Sequence, residues 1–160
     1  MKAVALKEYL PIADPSSFLD LDLPKPTPTG RDILVAVEAI AVNPVDTKIR
    51  SARGQGGVVE GDPRVIGWDA SGRVEAVGDG VTLFKPGDEV WYAGDITRPG
   101  CNAEFQLVDE RIVGRMPASL SHAEAAALPL TTITAYEAFF DRLGIDRDGA
   151  DQGQSILIIG

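Results

Sequence analysis

Asn43, Asp46 and Thr47 place an amide, a carboxylate and a hydroxyl close together in the run Ala41-Val42-Asn43-Pro44-Val45-Asp46-Thr47-Lys48-Ile49-Arg50. Polar groups of these types at the rim of a packed sheet can meet a small ligand. The run achieves this through one change of structure. The apolar, β-branched stretch from Ile33 to Val42 reads as a buried strand, and Asn43-Pro44 reads as a helix start. Asn43 can accept a hydrogen bond from a first-turn N–H, and Pro44 at the first helical position gives up a donor that would otherwise be unpaired. A capped surface turn has the same signature, and the spacing alone leaves both readings open.

The elements around this corner are short strands. Residues 2–9 read as a strand, and Phe18-Leu19-Asp20-Leu21-Asp22-Leu23 alternates apolar and acidic residues as a half-buried strand does. Pro24, Pro26 and Pro28 make the next segment an extended connector. After the corner, the glycines of residues 51–62 predict a flexible loop. Residues 65–77 are strand-like and carry Gly67 and Gly72, which suggests a bulge or tight bend that curls a sheet. Lys85-Pro86-Gly87-Asp88 suits a type II turn. Strands are expected at residues 89–92 and 103–108, and a short one at 112–113. The economical architecture is a small, partly open antiparallel barrel, mainly β, with its helices at the C-terminal end.

Past Pro117 the period changes. Ser121-His122-Ala123-Glu124 is a capping box opening a helix that Pro129 ends. A second helix is expected from about Thr131 to Leu143, with Gly144 as its stop. The division this suggests is residues 1–120 and 121–160. The final Ser155-Ile156-Leu157-Ile158-Ile159-Gly160 is apolar at four consecutive positions. It reads either as a parallel strand meant to be covered on both faces, opening a dinucleotide-binding unit at Gly160, or as a last strand of the barrel sheet.

Composition narrows the function classes. A formal charge of −9 opposes binding to phosphate backbones or anionic lipid, so neither nucleic acid nor membrane is an expected partner. Cys101 and His122 are the single cysteine and the single histidine, which leaves no intrachain disulfide and no dense metal cluster. A reducing cytoplasm is the expected compartment. Charge interrupts the N-terminus too early for a signal peptide, and no apolar run approaches the ~20 residues of a membrane span.

Several motifs together resemble the quinone-oxidoreductase branch of the medium-chain dehydrogenase/reductase superfamily, often filed under zinc-type alcohol dehydrogenases. Asn43 to Thr47 is similar to its first active-site box and Ile66-Gly67-Trp68-Asp69 to its second. Gly72 to Gly78 followed by Phe84 to Val90 resembles its most recognisable hairpin, and Ala125 to Pro129 with Thr134-Ala135 the helix leading into the cofactor domain. The resemblance implies a GroES-like barrel followed by the first strand of a Rossmann domain whose remainder is absent, so most of the cofactor site would be missing.

It also implies a chemistry. Zinc-using relatives carry a cysteine where Asn43 stands, a histidine where Trp68 stands and a cysteine near Leu130, and four cysteines between about Tyr92 and Cys101. This sequence keeps only Cys101, so zinc is not expected and no metal ligands are assigned. Zinc-free relatives pass a hydride from NADPH, or NADH, to a quinone or an α,β-unsaturated carbonyl. On that pattern Asn43 would stabilise the developing enolate or phenolate. Asp46 would hold the corner's geometry or the nicotinamide ribose, and Lys48, where relatives often carry Tyr, would polarise or donate a proton. Asn43, Pro44, Thr134 and Gly160 are the expected cofactor contacts, although Thr134 also suits a buried helix face. Trp68 and Tyr92 are read as walls of a substrate pocket or, alternatively, as core residues. A homodimer is implied by the family alone. The competing reading is a free-standing GroES-like binding or assembly module without catalysis.

Overall fold

The structure, a computed structural model, describes residues 1–51, 59, 61 and 63–159. Its strands are β1 (Lys2–Leu6), β2 (Leu19–Asp22), β3 (Asp32–Ala41), β4 (Arg64–Val65), β5 (Asp69–Val77), β6 (Glu89–Ala93), β7 (Phe105–Asp109) and β8 (Gly114–Arg115). Its helices are α1 (Pro44–Ser51), α2 (His122–Ala126) and α3 (Pro129–Tyr136). All the strand pairs are antiparallel, in a three-stranded sheet of order β2-β1-β4 and a five-stranded sheet of order β7-β3-β5-β6-β8. Among the described residues an isolated bridge between Ala3 and Ala103 ties β1 to the segment leading into β7, and the barrel is open.

β3 lies between β5 and β7 because its residues are apolar on both faces: Ile33, Leu34 and Val35 are all buried. Ile33 and Val35, with Ala70, Val74, Val90, Tyr92, Cys101 and Val108, form the main core. Burying each of the larger side chains stabilises by about 1.5–3 kcal/mol. The β3–β5 register shifts twice, between Leu34 and Val35 and between Val37 and Ala39. These irregularities curl the sheet, as Gly67 and Gly72 lead one to expect.

A second cluster, Leu6, Tyr9, Val59, Ile66 and Trp68, seats α1. Val45 and Ile49, four residues apart and so on one face of the helix, pack against it. This packing fixes the strand–helix corner relative to both sheets.

The capping box is present in both directions: Glu124 N–H donates to Ser121 Oγ at 3.3 Å, and Ser121 N–H donates to Glu124 Oε2 at 2.8 Å. Ala125 and Ala126 are thereby buried, with α2 packed on β3 and β5. Pro129 differs from expectation. It begins α3 at the first helical position, where its missing N–H costs nothing. The expected single helix to Leu143 is α3 followed by a wider helical turn, Glu137–Arg142, before Gly144 at φ +67° ends it. Between β7 and β8, Glu110–Ile112 forms a 3-10 turn where a strand at 112–113 is expected. There Asp109 caps the turn with its carboxylate.

Ile156 to Ile159 form no strand among the described residues, and 51–87% of each side chain is exposed. A parallel strand forms only by pairing, and this run pairs with no described strand. The expected loop over 51–62 lies, apart from residues 51, 59 and 61, outside the described residues, as does Gly160. No helix of the described residues is long and apolar enough to cross a membrane.

Candidate functional site

The corner is built by two acids. Asn43 does not cap α1 with its side chain, as expected; instead its backbone N–H donates to Asp46 Oδ2, and Asp46 N–H donates back to the Asn43 carbonyl. A carboxylate in the first turn reaching back to the residue before the helix is favourable with the helix dipole as well. The Asn43 side chain is thereby released for another task. Its Nδ2 donates to Asp69 Oδ2 at 2.8 Å, crossing from the start of α1 to the first residue of β5.

Asp69 is only 1% exposed. Its other oxygen, Oδ1, accepts the backbone N–H of Leu130 at 3.0 Å, at the start of α3. Burial pushes its pKa above the ordinary aspartate value, and the nearby Asp46 adds to the rise, while the hydrogen bonds from Asn43 and Leu130 oppose it. Asp46 is buried too, and its Oδ1 has no partner among the described residues. Asp69 is not among the site residues expected from the sequence. The available signal was an acid inside the apolar stretch Val65 to Ala70, where a charge is retained only if something binds it.

The remaining expected site residues fall into two groups. Pro44 and Lys48 are exposed on α1 beside the corner. Thr134 is exposed on α3, with its hydroxyl donating to the Leu130 carbonyl at 2.8 Å. Trp68 and Tyr92, by contrast, are only 3% and 2% exposed and are core residues. The Trp68 indole N–H donates to the Asp95 carbonyl at 3.0 Å, and the Tyr92 hydroxyl donates to Gln106 Oε1 at 2.9 Å. Their apolar bodies are used in packing and their polar tips are satisfied. A cavity of about 480 Å³ beside the corner has Asp46 and Thr47 in its lining. His122, the single histidine, is half-buried with Nδ1 3.1 Å from Ser71 Oγ.

A partly open two-sheet β fold, with helices at its C-terminal end and a polar strand–helix corner beside them, defines a GroES-like domain. Residues 29–129 match the family described as alcohol dehydrogenase GroES-like domain. A zinc-type alcohol dehydrogenase-like protein of Staphylococcus aureus (strain MSSA476) is 48% identical over 160 residues, covering 99% of this chain and 46% of that protein. A Rhizobium etli CFN 42 protein assigned as a zinc-dependent alcohol dehydrogenase superposes with a TM-score of 0.84 at 63% identity, covering 89% of this chain and 41% of that one. A mycobacterial quinone oxidoreductase and a mycobacterial protein complexed with NADPH each superpose with a TM-score of 0.76 at 30% identity, over 92% of this chain and 43% of theirs. The chain belongs to the alcohol dehydrogenase GroES-like domain family, within the medium-chain dehydrogenase/reductase superfamily. It spans less than half the length of these relatives.

The described residues do not assemble the donor set that a zinc ion would need. Among the described residues no three His, Cys, Asp or Glu side chains gather around one point. Cys101 lies against Asp69, but its Sγ contacts the Asp69 carbonyl oxygen at 3.4 Å. Burial, with the charges of Asp46 and Asp69, pushes its thiol up to about 12.

Proposed function

We propose that this chain is the substrate-side domain of a zinc-independent, NAD(P)H-dependent oxidoreductase that reduces quinones or α,β-unsaturated carbonyls. The observation that carries the reading is the Asn43–Asp69 hydrogen bond, an amide–carboxylate pair at the corner where a metal-using site would need ligands. The mycobacterial quinone oxidoreductase and the NADPH complex among its structural neighbours support it.

When bound, the nicotinamide supplies the hydride. The protein's part is to orient and to shield. Asn43 holds one Nδ2 hydrogen on Asp69 and keeps its Oδ1 and second Nδ2 hydrogen for a ligand. Asp46 fixes the backbone of that turn through the Asn43 N–H. Pro44 and Lys48 flank the corner on its exposed side, with the Lys48 ammonium able to polarise a carbonyl oxygen or give up a proton. Thr134 donates to Leu130, which leaves its oxygen an acceptor for a carboxamide N–H of the cofactor. The whole protein is proposed to work in the cytoplasm, as a homodimer.

The test is steady-state turnover by the whole protein, with NADPH and NADH against 1,4-benzoquinone and a simple enone, before and after dialysis against a chelator. Turnover that survives dialysis is expected. Absence of turnover with every acceptor, or activity lost on dialysis and restored by zinc, overturns the reading.

A further inference from the structure

The Asp69 side chain makes two hydrogen bonds among the described residues, and both come from N–H donors: Asn43 Nδ2 and the backbone of Leu130. A protonated carboxyl would need an acceptor for its own hydrogen, and neither contact offers one. The carboxylate is therefore held as an acceptor. Because an amide is planar, with nitrogen and oxygen on opposite sides of its carbon, a nitrogen fixed on Asp69 turns Oδ1 away from it. Asn43 is half-buried and its Oδ1 accepts no hydrogen bond from the described residues.

Charge sharpens the consequence. A carboxylate one hydrogen bond behind the amide lies within roughly 8 Å of an atom hydrogen-bonded to Asn43. Asp46 is a second buried acid at the same corner, and neither acid has a Lys or Arg ion-pair partner among the described residues. Negative charge developing on a ligand there would be repelled, while a hydrogen-bond donor would be attracted. This departs from the oxyanion role that the resemblance implies for Asn43.

We infer that Asp69 is a positioning residue: it orients the Asn43 amide so that the corner engages its ligand through a donor on that ligand, a hydroxyl or an amide N–H, and not through an oxyanion. The ribose hydroxyls and the carboxamide of a nicotinamide cofactor carry such donors. In naming the cofactor the inference deepens the proposed function and rests on it; the orientation of Asn43 does not.

Two measurements separate these parts. The chain contains two asparagines, Asn43 and Asn102, so ¹⁵N-asparagine labelling gives two side-chain NH₂ pairs, and Asn43→Ala identifies which is which. The Asn43 pair is expected to be split more widely than a free amide in the wild type. Asp69→Asn, a similar-sized substitution that still offers Leu130 an acceptor, adds a third pair, which the double variant with Asn43→Ala identifies, and the splitting of the Asn43 pair is expected to collapse towards free-amide positions. A wild-type Asn43 pair already at free-amide positions overturns the orientation, whether or not the variant folds.

The second measurement is NADPH titration into the whole protein as wild type, Asn43→Ala, Asp69→Asn and the double variant. Each single substitution is expected to weaken binding about tenfold, and the double variant to bind within twofold of Asn43→Ala, because Asp69 acts through Asn43. Factors that multiply in the double variant overturn the positioning role. No NADPH binding by the wild type removes the cofactor as ligand and fails the proposed function, leaving the orientation to be judged by the amide signals.

Discussion

Asp69 Oδ1 accepts the backbone N–H of Leu130 at 3.0 Å, so the first residue of β5 caps the N-terminus of α3. The helix has no cap of its own, because Leu128, the residue preceding it, makes no side-chain hydrogen bond. A helix start without a local cap is unsatisfied unless another element supplies the acceptor. Here the sheet supplies it, and the same carboxylate holds the Asn43 amide. One side chain thus ties the α1 corner, the central sheet and the C-terminal helix together.

Asp69→Ala is expected to cost about 2–4 kcal/mol, since it deprives two N–H donors of their acceptor and removes a helix cap. Asp69→Asn is expected to cost about 1 kcal/mol, because an amide oxygen can still accept from Leu130. Urea unfolding of the three proteins checks this. Equal stability of wild type and Asp69→Ala would show that the carboxylate is not structural.

Cys101 is expected to be inert in the folded protein. It is fully buried, and burial, with the charges of Asp46 and Asp69, pushes its thiol up to about 12. Against an ordinary cysteine near 8.5, the thiolate fraction at pH 8 falls by roughly three orders of magnitude. As this is the single cysteine, a disulfide-exchange reagent reads it without interference. Modification at least about 1,000-fold slower in buffer than in denaturant is expected; comparable rates would place the thiol at the surface.

What the sequence made legible was local. Alternating Leu and Asp located β2, Ser121 and Glu124 located the capping box, and Gly87, at φ +92°, fits the turn read from Lys85 to Asp88. The asparagine–proline helix start was found as well, but not the use of its side chain, because Asp69 lies 26 residues further on. Trp68 illustrates the same limit. Nothing local decides whether an indole faces a cavity or the Asp95 carbonyl, since that carbonyl is brought in by the fold. The start of α3 was misplaced because its cap comes from a strand 61 residues earlier in the chain.

Gly72 is expected to be intolerant of any side chain. A Cβ there would sit 2.2 Å from the Ala36 carbonyl oxygen and 2.8 Å from Val35 Cγ1. Both belong to β3, and Gly72 is paired with Val37 of that strand. A backbone carbonyl in the middle of a ladder cannot yield without breaking the pairing, so Gly72→Ala is expected to cost about 3 kcal/mol or more. Gly87→Ala is the control. Its Cβ would meet open space, leaving only the strain of a positive φ, about 1 kcal/mol. Thermal unfolding of both variants checks the order, and a Gly72→Ala protein as stable as Gly87→Ala would mean that β3 and β5 are not this close.

Asp69 also gives the chain a pH dependence of unusual sign. Burial raises its folded pKa above the ordinary value of 3.8, Asp46 adding to the rise. Between those two values the folded chain binds more protons at this site than the unfolded chain, so folding weakens as pH rises. The contribution of this group is fully present below the ordinary value and is lost as pH rises through the folded one. Asp88 and Asp109 behave in the opposite way. Hydrogen bonds from Lys85 and Arg111 respectively hold them below the ordinary value, and their contribution is lost as pH falls through their folded values. Asp69→Asn removes only the first effect. The melting temperature of the wild type minus that of Asp69→Asn is therefore expected to be largest near about pH 4 and to shrink towards about pH 7. Cys101 does not titrate in this range, and Asn43 and Leu130 carry no charge, which leaves Asp46 as the one titratable neighbour to control for. The Asp46→Asn background serves that purpose. With its charge gone the shrinkage is expected to lessen and keep its sign. A difference that grows with pH in both backgrounds would mean that folding stabilises the Asp69 carboxylate, with Asn43 and Leu130 outweighing burial.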